Sequence, residues 1–76
     1  MENLQPYQIA QEAIQRTGRM NVLFTSRHSK PVRAWLTARE PHPQVTQYDF
    51  YLNTSYGFKC TVSFADKWYP GLQPIF

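Results

Sequence analysis

The spacing of apolar residues changes once along the chain, from a helical period near the N-terminus to a two-residue period afterwards. Between residues 5 and 18 the apolar and small side chains recur on one helical stripe. Its members are Pro6, Ile9, Ala10, Ala13, Ile14 and Thr17. Pro6 suits a first helical turn, Gly18 suits a C-terminal stop, and Asn3 is a candidate cap upstream. The pattern predicts a helix over about residues 5–18.

After Arg19 the pattern predicts four strands, because apolar and polar positions alternate and β-branched and aromatic residues are frequent. The segments are 20–26, 31–40, 46–53 and 58–65, separated by turn-like sequence at 27–30, by Pro41-His42-Pro43 and by a Gly57-containing loop at 54–57. Prolines cannot donate to a strand ladder, so they end the second strand. The remaining tail, from Asp66 on, contains two prolines and a glycine and is predicted to be irregular. Its apolar residues are expected to pack back on the body, namely Trp68, Tyr69, Leu72 and Phe76.

These elements predict one small α+β domain over residues 1–76. One N-terminal helix packs on a four-stranded antiparallel sheet, and the short connections favour a meander. Strand order stays open at this point, and so does the identity of the edges. An edge strand, such as the first or the fourth, could pair between two chains and form a homodimer.

The alternation also assigns side chains to the two faces of the sheet. If the helix covers one face, the residues beneath it are Val32, Leu36, Phe50, Phe58 and Val62. The opposite face then presents aromatic rings interleaved with cations, namely Arg33, Trp35, Arg39, Tyr51 and Lys59. Rings beside cations fit single-stranded nucleic acid, and they equally fit a protein interface. The alternative is that Trp35 and Tyr51 are packed under the C-terminal tail.

Composition and charge narrow the class of protein. The 76 residues are 42% hydrophobic and 16% aromatic, which argues against a disordered chain. The formal net charge of +3 favours an anionic partner but is small for a strong binder of duplex nucleic acid. The N-terminus lacks the features of a secretory signal and no apolar run approaches membrane-spanning length, so a cytoplasmic location without membrane association is expected.

Little in the sequence indicates catalysis or metal binding. Cys60, His28 and His42 are too far apart to have the spacing of metal ligands, and we predict neither a metal nor a cofactor. Cys60 alternates with apolar neighbours and is predicted to be a buried thiol. If the protein is an enzyme, the alternative is a ribonuclease-like site built from His28 or His42 with Glu40 and an arginine. Nothing in the spacing brings those groups together, so we expect a protein that is not an enzyme.

The loop between the first two predicted strands is a second candidate for binding. Ser26, Arg27, His28, Ser29 and Lys30 could together hold a phosphate or a carboxylate, and an ordinary solvated turn is the competing interpretation. We include Arg27 and Lys30 among the candidate partner-binding residues.

The function that these observations favour is that of a protein-binding module. In its size and its lack of catalytic motifs the chain resembles small phage-encoded inhibitors, which cover a functional surface of a larger complex such as an RNA polymerase or a CRISPR defence complex. That resemblance implies a protein or nucleoprotein partner and assigns no residues. Binding of single-stranded nucleic acid by the sheet face is the alternative.

Overall fold

The computed structural model describes residues 3–39 and 43–75, and in them one helix lies on one five-stranded antiparallel sheet. Glu40 and His42, named above for a ribonuclease-like site, fall outside the described residues, as does Phe76 of the tail. The elements in chain order are α1 (Pro6–Thr17), β1 (Met20–Phe24), β2 (Val32–Ala38), β3 (Asp49–Thr54), β4 (Lys59–Ser63) and β5 (Leu72–Pro74).

The first four strands form the predicted meander, and the fifth strand corrects the prediction. Spatial order is β4-β3-β2-β1-β5, with each neighbouring pair antiparallel. β5 comes from the tail that was predicted to be irregular. It pairs with β1, so β1 is an interior strand and not an edge as considered above, whereas β4 is an edge. Three residues that include a proline are too few for a two-residue period to be recognised.

The helix begins and ends close to the predicted positions, but its N-cap is Gln5 and not Asn3. The backbone N–H of Gln5 donates to Gln8 Oε1 at 2.9 Å, which is half of a capping box. At the other end Gly18 has φ of 91° and its N–H donates to the carbonyl of Ile14 at 2.7 Å. This left-handed cap ends the helix and directs the chain into β1.

The core lies between α1 and one face of the sheet. Its fully or nearly buried members are Ala10, Met20, Val22, Ala34, Leu36, Phe50, Leu52, Val62, Phe64 and Leu72. Tyr7, Ile9, Ala13 and Ile14 from the helix pack against them. The alternation predicted for β2 and β3 is therefore confirmed, since Ala34, Leu36, Phe50 and Leu52 all point to the helix.

The tail packs on the helix side of the sheet. Trp68 and Tyr69 pack against the core, and the Trp68 ring lies 5.2 Å from that of Phe64, which in turn stacks on Phe50 at 4.9 Å. The predicted packing of the tail on the body is thus found for Trp68, Tyr69 and Leu72. Trp68, Tyr69 and Leu72 therefore lie on the core side and do not cover Trp35 or Tyr51 on the opposite face.

Phe58 is a further correction. It was placed beneath the helix, but it lies in the turn before β4 and is 43% exposed. Its carbonyl accepts from the N–H of Thr54 at 3.0 Å, and its own N–H donates to Thr54 Oγ1 at 3.1 Å. Cys60 faces the core as predicted but is only half-buried, because β4 is an edge strand.

Within residues 3–39 and 43–75, no helix combines the length and the apolar character that crossing a bilayer requires.

The close approach of Gly71 to β1 is a direct test of where β5 lies. Gly71 has φ of 84°, its carbonyl accepts from the N–H of Thr25 at 2.8 Å, and a Cβ at this position would overlap the Thr25 carbonyl oxygen. Gly71→Ala is expected to lower the free energy of unfolding by about 2–4 kcal/mol, from the strained φ together with the overlap.

The matched control is Gly18→Ala, where φ is 91° but a Cβ would meet nothing within 4 Å. It should lower the free energy of unfolding by about 1–2 kcal/mol, because only the strain of the backbone opposes it. Urea denaturation followed by circular dichroism compares the two, and equal losses would contradict the position of β5.

Candidate functional site

The face of the sheet opposite α1 is the candidate functional site, and we call it the open face. It carries the side chains that alternate with the core residues of β2 and β3, together with their cross-strand neighbours. The register places Tyr51 opposite Thr37 and Thr61. It places Trp35 opposite Asn21 and Asn53. Five strands therefore present a broad surface with two aromatic rings near its centre.

Each of the two rings has a cation over it. Arg19 Cζ lies 5.3 Å from the centroid of the Trp35 ring. Tyr51 is approached twice, by Arg39 Cζ at 4.9 Å and by Lys59 Nζ at 4.1 Å. Such contacts stabilise an exposed cation by about 0.5–1 kcal/mol each. The rings thus hold the cations on the sheet and are themselves only partly exposed.

Asn53 fixes the backbone beneath the rings. Its amide nitrogen lies within hydrogen-bond distance of three acceptors, the carbonyl oxygens of Trp35 (3.3 Å) and Tyr51 (3.4 Å) and the hydroxyl of Thr37 (3.1 Å). These contacts join β2 to β3 on the side that faces away from the core. They hold the two aromatic positions at a constant spacing.

The carboxylate of Asp49 lies at the end of the open face where β3 begins. It accepts from the hydroxyl of Ser63, from the N–H of Thr46 at 2.7 Å and from the hydroxyl of Thr46 at 3.2 Å. The bond from Ser63 is the largest cause that keeps the pKa of Asp49 below its ordinary value of 3.8, and the charge of Arg39 contributes least. The carboxylate is therefore charged at neutral pH and engaged within the protein.

The structure brings together five of the seven predicted binding residues. Arg33, Trp35, Arg39, Tyr51 and Lys59 all lie on the open face. Arg27 and Lys30 are exposed in the β1–β2 loop, at the end of the sheet that also holds Arg33. In that loop the hydroxyls of Ser26 and Ser29 are hydrogen-bonded to each other, which is the arrangement of an ordinary turn.

Arg19 is a cation of the open face that was not predicted from the sequence. It precedes β1 and is not among the seven residues predicted to bind a partner. The signal was its position one residue before buried Met20, which puts Arg19 on the opposite face and diagonal to Trp35.

A groove of about 250 Å³ opens where the end of α1 meets the sheet, and its walls are mixed in polarity. It is lined by Gln11, Ile14, Gln15, Ala38, Arg39, Thr46, Gln47, Asp49 and Phe50. Gln11 Nε2 donates to the carbonyl of Gln47 at 2.9 Å across it. Because Arg39 and Asp49 form part of its wall, the groove adjoins the open face.

Groups suited to catalysis or metal binding are sparse in the described part of the chain. No set of three or more His, Cys, Asp or Glu side chains there could hold a metal ion. His28 is exposed in the β1–β2 loop. Partial burial raises the pKa of the Cys60 thiol, which disfavours the reactive thiolate.

Comparison with protein-family models, with curated proteins and with solved structures finds no match to this chain.

The bonds to Asp49 generate a pH dependence with a definite sign. Because folding lowers this pKa, the carboxylate stabilises the protein above about pH 4, and that contribution is lost as the pH falls through the lowered value. Asp49→Asn should therefore lower the free energy of unfolding at pH 7, and the difference from the wild type should shrink toward zero as the pH falls below the lowered pKa of Asp49.

Asp66→Asn is the control, since Asp66 is exposed and makes no hydrogen bond or ion pair in the described residues. Urea denaturation at pH 7 and at a series of acidic pH values gives the difference in free energy of unfolding between each variant and the wild type. A difference for Asp49→Asn that stayed constant with pH would show that its carboxylate charge is not what the bonds from Ser63 and Thr46 stabilise.

Proposed function

We propose that the protein is a non-enzymatic binding module that docks its open face on an acidic surface of a larger protein and thereby blocks that surface. The observation that supports this most is the placement of three cations over two rings on a sheet face that no described helix covers. Cations held in place lose little conformational freedom on binding, which favours affinity.

The charge on the open face favours an anionic partner. Arg19, Arg33, Arg39 and Lys59 contribute four positive charges, and the one carboxylate that the register places among them, Asp49, already accepts three hydrogen bonds. Exposed carboxylates of a partner could pair with Arg33 and Lys59, which are exposed and form no ion pair within the described residues. Arginine and aromatic residues are also the side chains that contribute most to protein interfaces.

The rings themselves favour a protein over single-stranded nucleic acid. A stacking platform for bases needs an accessible ring surface. Here a cation is placed over Trp35 and two are placed over Tyr51, and both rings are partly buried. Stacking of a base would have to displace those cations, whereas a carboxylate could bind them where they are.

The proposed preference for an acidic partner is tested by selecting peptides from a random display library on the immobilised protein. Peptides rich in Asp and Glu are expected on the wild type. They should be lost on the double variant Arg33→Glu/Lys59→Glu, which reverses two exposed charges of the open face. We expect the affinity of a selected peptide to fall at least about tenfold.

The matched control is Arg16→Glu/Lys67→Glu, which has the same net charge and changes two exposed cations outside the open face. It should retain the peptides. Recovery of peptides without acidic enrichment, or equal loss in both variants, would contradict the proposal.

Binding of a fluorescent single strand of about 20 nucleotides is measured in parallel by anisotropy at about 50 and 200 mM salt. We expect weak or absent binding. Micromolar affinity that falls steeply with salt and is lost only in the open-face variant would instead establish the nucleic-acid alternative.

A further inference from the structure

The outer edge of β4 presents unpaired backbone groups. Phe64 N–H donates to the carbonyl of Tyr48 at 3.1 Å, and Thr54 N–H donates to the carbonyl of Phe58 at 3.0 Å. Because hydrogen-bonded and non-hydrogen-bonded pairs alternate in an antiparallel ladder, the backbone groups of Lys59, Thr61 and Ser63 point away from β3. In the described part of the chain those outward groups have no partner.

The two edges of the sheet differ in how they are protected. β5 has only three residues and contains Pro74, and both features disfavour pairing with another chain. β4 has five residues, no proline and a single charged side chain, Lys59, at its start. Lys59, Thr61 and Ser63 are all exposed.

We propose that a second copy of this chain pairs with β4, antiparallel and about a two-fold axis through Thr61. In this register Thr61 lies opposite Thr61 of the second copy and Lys59 lies opposite Ser63. All three outward residues of each copy are then matched, and each of the three pairs exchanges two N–H···O bonds. The proposal rests on the geometry of the edge and stands independently of the proposed function.

Charge supports this register. Lys59 of one copy comes beside Ser63 of the other, whose hydroxyl binds the carboxylate of Asp49. A register centred on Lys59 would set two lysines directly opposite each other, which is unfavourable. The register through Thr61 thus keeps the two lysines apart and matches the outward backbone groups of both copies.

The helix side of the same edge supports it too. Cys60 is half-buried and Phe58 is 43% exposed, so apolar surface remains at this edge. In the proposed register Cys60 lies opposite Val62 of the second copy. Two residues further along the same register, Phe58 lies opposite Phe64 of the second copy. Pairing would cover these side chains and join the two open faces into one continuous surface.

Sedimentation velocity from about 1 µM to 1 mM tests the proposal, because a short strand interface gives a weak dimer. The wild type should show a dimer at the upper concentrations. Thr61→Lys and Thr61→Glu each place like charges face to face across the two-fold axis, and each should raise the dimer dissociation constant at least about tenfold.

An equimolar mixture of the two variants should restore the dimer, because lysine then faces glutamate. Gln73→Lys is the control: it adds the same charge at an exposed site on the opposite edge strand and should dimerise like the wild type. Circular dichroism checks that each variant is folded.

A wild type that stays monomeric at about 1 mM overturns the proposal. A dimer that Thr61→Lys and Thr61→Glu leave intact, or that Gln73→Lys disrupts equally, also overturns it. Failure of the mixture to restore the dimer overturns the two-fold register.

Discussion

Helix α1 has twelve residues and packs on one face of the sheet only. The properties of the opposite face follow because no described helix covers it. Twelve helical residues extend about 18 Å, and the strands that α1 approaches most closely are β1 and β2. The helix and the tail both pack on the core side of the sheet, where Ala10, Trp68 and Tyr69 complete the packing. Hence the open face meets water, and its rings are accompanied by cations and small polar side chains.

The parts of the structure that the sequence could predict are those that depend on local patterns. β2 and β3 alternate without interruption, so Leu36 and Phe50 could be assigned to the core and Trp35 and Tyr51 to the open face. The helix was recognisable from its stripe and from Gly18. Each of these features depends on local periodicity or on a single favourable backbone position.

Other parts depend on tertiary contacts that no local pattern records. β5 exists because Gly71 can approach Thr25 closely, and its sequence alone is typical of a loop. The exposure of Phe58 follows from the turn bonds to Thr54, which end the alternation one residue before β4. Arg19 reaches Trp35 only after the cap at Gly18 has set the direction of the chain.

The proposed function requires that Trp35 lies on a positively charged face that meets water. Trp68→Phe leaves Trp35 as the single tryptophan, and quenching of its fluorescence by iodide and by caesium measures access and local charge together. We expect stronger quenching by iodide than by caesium, and a smaller difference between the two when Arg19 is replaced by glutamine. Fluorescence that neither ion quenches would contradict it, because Trp35 would then be covered.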